Sequence, residues 1–250
     1  MGGWIRLPIE GSAHARAVDG MIVAVHGLIA LIALVFAVFF VVCLIRFNRR
    51  ANPRARYRNV SPRIAWLFVS AITVVELWEL FFVAIPLWAS RVTTVPSGSD
   101  TVVIRVVAEQ FAWNIHYPGA DRRFGRTDST LIGPDNPLGL DRSDPPARDD
   151  IVTTNELNFP VGRPVLVQLT SKDVIHSFSL PEMRIKQDAT PGAMILVWFE
   201  PTVTTPVGQT WEINCSQLCG LGHYRMRGRY RSMTPEAYKQ FLDNEAAALR

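Results

Sequence analysis

Two long apolar runs constrain this chain more than any other feature. Residues 21–45 (MIVAVHGLIALIALVFAVFFVVCLI) carry no formal charge across 25 positions, and residues 64–88, also 25 positions, carry only Glu76 and Glu79. At about 1.5 Å per residue, each run reaches roughly 38 Å as a helix, enough to cross a hydrocarbon core of about 30 Å with some tilt. The composition agrees: 48% of the 250 residues are hydrophobic and 19% are charged, which excludes a disordered chain. Residues 21–45 do not read as a signal peptide. The run is too long for the usual apolar region, and no small-residue cleavage site follows it. Cys43 stands just before Arg46, Arg49 and Arg50, at the end assigned below to the cytoplasm, so a lipid-modified cysteine is not expected there.

Charge distribution orients the runs. The formal net charge is +4, yet the link at residues 46–63 holds seven Arg and no acid, while residues 91–250 carry 17 Lys+Arg against 18 Asp+Glu. A basic excess confined to one short link is the positive-inside pattern, which places the tail (1–20) and the large C-terminal part on the outer side of the membrane. Nucleic acid is not an expected partner, because its footprint would need a basic patch on the large part. The expected division is residues 1–90, an outer tail and a two-helix transmembrane hairpin, and residues 91–250, an outer (periplasmic) domain. Two carboxylates in a span are costly in lipid, so the hairpin calls for a larger membrane partner.

The outer part reads as β-structure. Residues 101–107 (TVVIRVV), 165–169 (VLVQL), 193–199 (AMILVWF), 209–214 (QTWEIN) and 227–232 are β-branched or alternating runs, punctuated by Pro160-Val161-Gly162, Pro191-Gly192 and Pro206-Val207-Gly208. Short strands at this spacing predict an antiparallel sandwich. Residues 118–150 form a long Pro/Gly/Asp-rich loop, and a loop of that length is either functional or mobile. Thr234-Pro235-Glu236 supplies an N-cap, a first-turn proline and an early acid, predicting a short helix through about Leu242.

The chemistry concentrates in Cys215-Ser216-Gln217-Leu218-Cys219-Gly220-Leu221-Gly222-His223-Tyr224-Arg225-Met226, with Asp173-Val174-Ile175-His176 upstream. A Cys215–Cys219 disulfide is possible in an oxidising compartment, but it leaves His223 and Met226 unexplained. Zinc favours Cys and His and makes poor use of a thioether. Thiolate, imidazole and thioether together are the soft set that selects copper, and two cysteines point to two metals bridged by sulfur. His26 and His116 are lone histidines and read as structural. No C-x-x-C-H is present, so no covalently attached c-type haem is expected on this chain.

C-x3-C-x3-H-x2-M with a distant histidine resembles the dinuclear copper (CuA) centre of subunit II of haem–copper cytochrome c oxidases. The two preceding spans, the stretch Glu109-Gln110-Phe111-Ala112-Trp113 and the stretch Lys186-Gln187-Asp188-Ala189-Thr190-Pro191-Gly192 resemble the same family. The resemblance implies a membrane α+β protein: a transmembrane helix hairpin followed by a cupredoxin-like antiparallel β-sandwich. It implies copper donors at His176, Cys215, Gln217 (backbone carbonyl only), Cys219, His223 and Met226. It implies one-electron transfer from a cytochrome c, or a cytochrome c domain, to haem in subunit I, where oxygen is reduced and protons are pumped, with subunits I and III and membrane lipid as partners. Phe111 and Trp113 match the family's electron-accepting aromatic stretch, with Phe111 where a Trp is usual; the alternative is ordinary sandwich core. Gln217 replaces the family's usual Glu, which puts a magnesium ion at the subunit I interface in doubt, since a neutral amide is a weaker ligand for a hard cation. Glu76 and Glu79 are candidates for a proton path, or are simply satisfied against subunit I. Lys186 and Asp188 either face subunit I or are a solvated pair. The acids Asp141, Asp144, Asp149 and Asp150 either steer a basic donor or are solvated. Competing readings are the CuA subunit of a related nitric oxide reductase, the scaffold subunit of a quinol oxidase and a copper-delivery protein.

Overall fold

The computed structural model describes residues 7–54 and 61–249. Arg56 and Arg58, part of the Arg-rich link, lie outside the described residues. Two compact units emerge: one within Ala17–Ser90, the other formed by Leu7–Arg16 together with the chain from Arg91 onward.

The first unit is helical. α1 spans Ala15–Arg46 and α2 spans Pro62–Glu79, with Ser61 preceding a proline at the first helical position. α2 runs into a π-helical turn, Leu80–Ala84, and then α3, Ile85–Val92. Pro86 explains the turn. It has no N–H to give the Phe82 carbonyl, and the Ile85 N–H reaches five residues back to the Leu80 carbonyl. Both long helices are apolar enough to cross a membrane, and their side chains, Phe36, Phe39, Trp66 and Phe82 among them, are exposed all round. Only lipid or other membrane helices can cover such a surface. His26 Nδ1 donates within its own helix to the Ile22 carbonyl at 2.7 Å.

The second unit is a sandwich of two five-stranded sheets. The strands are β1 Val102–Glu109, β2 Ala112–Tyr117, β3 Ile151–Thr154, β4 Glu156–Pro160, β5 Val165–Ser171, β6 His176–Leu180, β7 Ile185–Ala189, β8 Ile195–Phe199, β9 Trp211–Cys215 and β10 Arg227–Met233. One sheet has the order β3-β2-β1-β5-β8, the other β4-β10-β9-β6-β7. The predicted sandwich is present, but its sheets are mixed. β1 pairs with β5, and β4 with β10, in parallel. β5 alternates strictly, with Val165, Val167 and Leu169 inward. Trp113, Tyr117, Phe159, Phe178, Phe199 and Tyr230 fill the space between the sheets, and Phe159 meets Phe199 edge to face at 5.0 Å. The C-terminal helix, α4, runs Pro235–Ala248, longer than predicted, with Thr234 Oγ1 accepting from the Ala237 N–H at 3.2 Å.

Two further departures concern the tail and the long loop. Residues 7–16, assigned from sequence to the membrane unit, belong with the sandwich. The Gly11 N–H donates to the Glu182 carbonyl (2.8 Å), the Ala13 N–H to the Glu200 carbonyl (2.9 Å) and the Thr202 N–H to the Gly11 carbonyl (2.9 Å). The loop at 118–150 is folded by its own acids. Asp149 accepts from the Ala120 N–H (2.6 Å), Asp144 from the Arg126 N–H (2.7 Å), and Asp141 from the Arg126 guanidinium and the Ser143 N–H. Asp150 is wholly buried, taking hydrogen bonds from the Gly125 N–H (2.8 Å) and His116 Nε2 (2.7 Å). These acids are therefore structural side chains, not merely solvated ones, and His116 is a core residue as expected.

Candidate metal centre

Strand topology collects the predicted donors. His176 opens β6, Cys215 closes β9, and Met226 immediately precedes β10. β9 lies antiparallel between β6 and β10, with Phe178 opposite Cys215 and Asn214 opposite Arg227. Alternation of direction thus brings one start, one end and another start to the same end of one sheet. The loop Ser216–Arg225 spans the gap and carries Gln217, Cys219 and His223.

The six side chains or carbonyls form one cluster. Cys215 Sγ and Cys219 Sγ face each other at 3.7 Å as free thiols. Cys215 Sγ is 3.2 Å from the Gln217 carbonyl, and Cys219 Sγ is 3.5 Å from His223 Nδ1 and 3.7 Å from Met226 Sδ. His176 Nδ1 lies 3.1 Å from Met226 Sδ and 4.0 Å from Cys215 Sγ. The donor atoms of His176, Cys215 and Cys219 all fall within 4.8 Å of one another. His176, Cys219 and Met226 are buried, while Gln217 is exposed with only its carbonyl turned inward. Two thiols, two imidazoles, a thioether and a carbonyl are a soft, mixed donor set. It fits copper, and it exceeds what a four-coordinate zinc site uses.

Electrostatics favour ionising one thiol first. Burial opposes charge on Cys215, but hydrogen bonds from His176 and from the Ser177 and Gln217 backbone outweigh it and bring the thiol down to about 6. Burial, then the neighbouring Cys215, pushes Cys219 up to about 12. The same contacts with Cys215 and Asp173 hold His176 above its ordinary value against the opposing effect of burial. A cation between the sulfurs would relieve this conflict, because metal binding takes both thiols as thiolates.

The aromatic stretch divides. Trp113 is fully buried, edge-on to His176 at 6.1 Å and to Phe178 at 5.4 Å, so it has no surface to offer another protein. Phe111 is half-buried and lies against the ligand loop; a Cβ placed on Gly222 would come within 2.4 Å of its ring. Glu76 is exposed on α2. Glu79 has one carboxylate oxygen shielded and unpaired among the described residues. Lys186 and Asp188 sit exposed on the same face of the edge strand β7. Sequence reasoning missed Asp173 and Gln110. Asp173 Oδ1 accepts from His176 Nε2 at 2.9 Å, and the position of Asp173 three residues before a donor histidine was the available signal.

Comparisons with known sequences agree in one direction. The family described as "Cytochrome C oxidase subunit II, periplasmic domain" matches residues 102–229. The alternative cytochrome c oxidase subunit 2 of Bradyrhizobium diazoefficiens is 34% identical over 208 residues, covering 83% of this chain and 72% of that one. Cytochrome c oxidase subunit 2 of Cereibacter sphaeroides is 28% identical over 240 residues, covering 90% and 74%. Among solved structures, the periplasmic domain of subunit II of cytochrome oxidase (CoxB) of Bradyrhizobium japonicum aligns with a TM-score of 0.45 at 28% identity, over 63% of this chain and 100% of that one.

Proposed function

The chain belongs to the cytochrome c oxidase subunit II family, and from that premise we propose that it is the electron-accepting subunit of a haem–copper oxygen reductase, with a dinuclear CuA site at His176, Cys215, Gln217, Cys219, His223 and Met226. The reading rests above all on the convergence of these donors at one end of a sheet, with the two sulfurs 3.7 Å apart. Bound there, a copper pair would supply one-electron transfer between a cytochrome c and haem in subunit I.

The residues of this chain do the rest. Cys215 and Cys219 give up their thiol protons and present two sulfurs from a loop fixed at both ends by β9 and β10. Met226, with 1% of its surface exposed, and Cys219, with 3%, keep water from the inner side of the site. A dry, rigid donor set changes little in geometry between charge states, which keeps the reorganisation accompanying electron transfer small. Leu218, Leu221 and Tyr224 project from the ligand loop, exposed, and form an apolar surface for the donor protein.

Three finer elements complete the proposal. The sandwich and the tail lie on the outer side of a bacterial inner membrane, with subunits I and III as membrane partners. Magnesium is held weakly or not at all through Gln217, because an amide replaces a carboxylate. Glu79, with its shielded carboxylate oxygen, is the better candidate of the two span acids for a proton path into subunit I. Unchanged turnover and pumping in Glu76→Gln and Glu79→Gln oxidases would remove that last element.

The principal test is copper stoichiometry with electron paramagnetic resonance on the purified full chain. Two coppers per chain, with one unpaired electron shared over two nuclei, is the expected result. A single copper, or none, overturns the CuA reading.

A further inference from the structure

We propose that the β1–β2 turn, which contributes no copper donor, sets the separation of the two donor-bearing segments, and that Gln110 is its positioning residue. The inference rests on the copper reading above and adds to it a residue that touches no metal.

Gln110 is bonded to both segments at once. Its backbone N–H donates to Asp173 Oδ2 at 2.7 Å, and its carboxamide Nε2 donates to the Cys219 carbonyl at 2.6 Å. The other oxygen of the same Asp173 carboxylate accepts from His176 Nε2 at 2.9 Å and from the Val174 N–H at 2.7 Å. A continuous chain therefore runs His176–Asp173–Gln110–Cys219, joining the start of β6 to the loop after β9. With Nε2 engaged by Asp173, His176 turns Nδ1 toward the sulfurs, 3.1 Å from Met226 Sδ.

The turn and the loop are also shaped to each other. Gly220 has φ +130, and a Cβ there would stand 2.7 Å from Gln110 Nε2; Gly222 leaves room for the Phe111 ring. The Arg225 guanidinium lies over that ring at 5.8 Å. Gln110 itself is exposed, so removing its side chain opens no cavity in the core and leaves the sandwich intact. The expected effect is local. Partners that orient a metal-bound imidazole from outside the ligand set are worth about 10–100-fold in metal affinity.

The test uses the full chain in detergent and the variants Gln110→Ala, Gln110→Glu and Asp173→Asn. In the reduced, copper-free chain, amide exchange of residues 174–177 and 216–226 should quicken about tenfold or more in both Gln110 variants, with the rest of the sandwich unchanged. Gln110→Glu should be the more severe, because a carboxylate then faces the Cys219 carbonyl. In the copper-loaded chain, loss of copper to a chelator should quicken about 10–100-fold, and Asp173→Asn should alter the copper hyperfine splitting. Exchange that rises throughout the sandwich, or variants that match the parent in both states, would overturn the proposal. If the parent takes up no copper while the Gln110 variants still loosen the two segments, the copper reading falls and the positioning role stands. If the parent loads copper and the variants are indistinguishable from it, the positioning role falls alone.

Discussion

Single atoms decide several features of this protein. Gly222 is required by proximity, not by backbone angle: any Cβ there would lie 2.4 Å from the Phe111 ring. Gly222→Ala should lower stability by about 1–3 kcal/mol, and Phe111→Ala should recover most of that loss in the double variant, as read from melting of the four corners of the cycle. Asp150 is a second such point. It is fully buried and accepts from His116 and from the Gly125 N–H, so Asp150→Ala strands both donors in the core. Denaturant unfolding should show a loss of about 3 kcal/mol or more. Neither role was visible in the sequence. Asp150 sat among seven loop aspartates of identical appearance, and only the fold distinguishes the buried one from Asp141, whose partly exposed carboxyl the Arg126 guanidinium and Ser143 hold down to about 2.

Elements show the same division between local and distant signals. The two apolar helices were legible because one stretch of chain is enough to specify each. The π turn was not anticipated, though Pro86 was the cue. β5, with strictly alternating burial, was found, although β7, which also alternates, was not; β2 and β6 were missed because nearly every residue in them is buried, which erases the period of two. The tail at residues 7–16 was misassigned because its partners are about 170 residues away in sequence: Ser12 Oγ donates to the Met183 carbonyl at 2.8 Å, across 171 positions. His14 in this strap is held down to about 4 from 6.5, first by burial and then by the Arg91 guanidinium. It stays neutral when docked, whereas the released strap takes up a proton below about 6.5. Acid therefore favours release as pH falls from 6.5 to about 4, with no further effect below. Protection of the Gly11 and Ala13 amides, corrected for intrinsic exchange, should fall across that window, and His14→Gln should flatten the profile.

The molecule as a whole is a sandwich whose covalent boundaries do not coincide with its physical ones. A fragment beginning at residue 91 omits the strap that covers Met183, and with it three backbone hydrogen bonds to Glu182, Glu200 and Thr202. Such a fragment should melt roughly 5 °C below a version retaining the strap, and a synthetic peptide of residues 7–16 should restore the difference in a concentration-dependent way. The proposed donors could be named from the sequence because five of the six lie within residues 215–226. What holds that set in place was not readable, since Gln110 lies 109 positions from Cys219. Topology has one more consequence. β10 fills an interior slot between β9 and β4, pairing Arg229 with Glu156 across 73 positions. The sheet that presents the donors stays unfinished until the last of the ten strands has been made. The six candidate donors therefore come together only once β10 has found its place, since Met226 immediately precedes that strand.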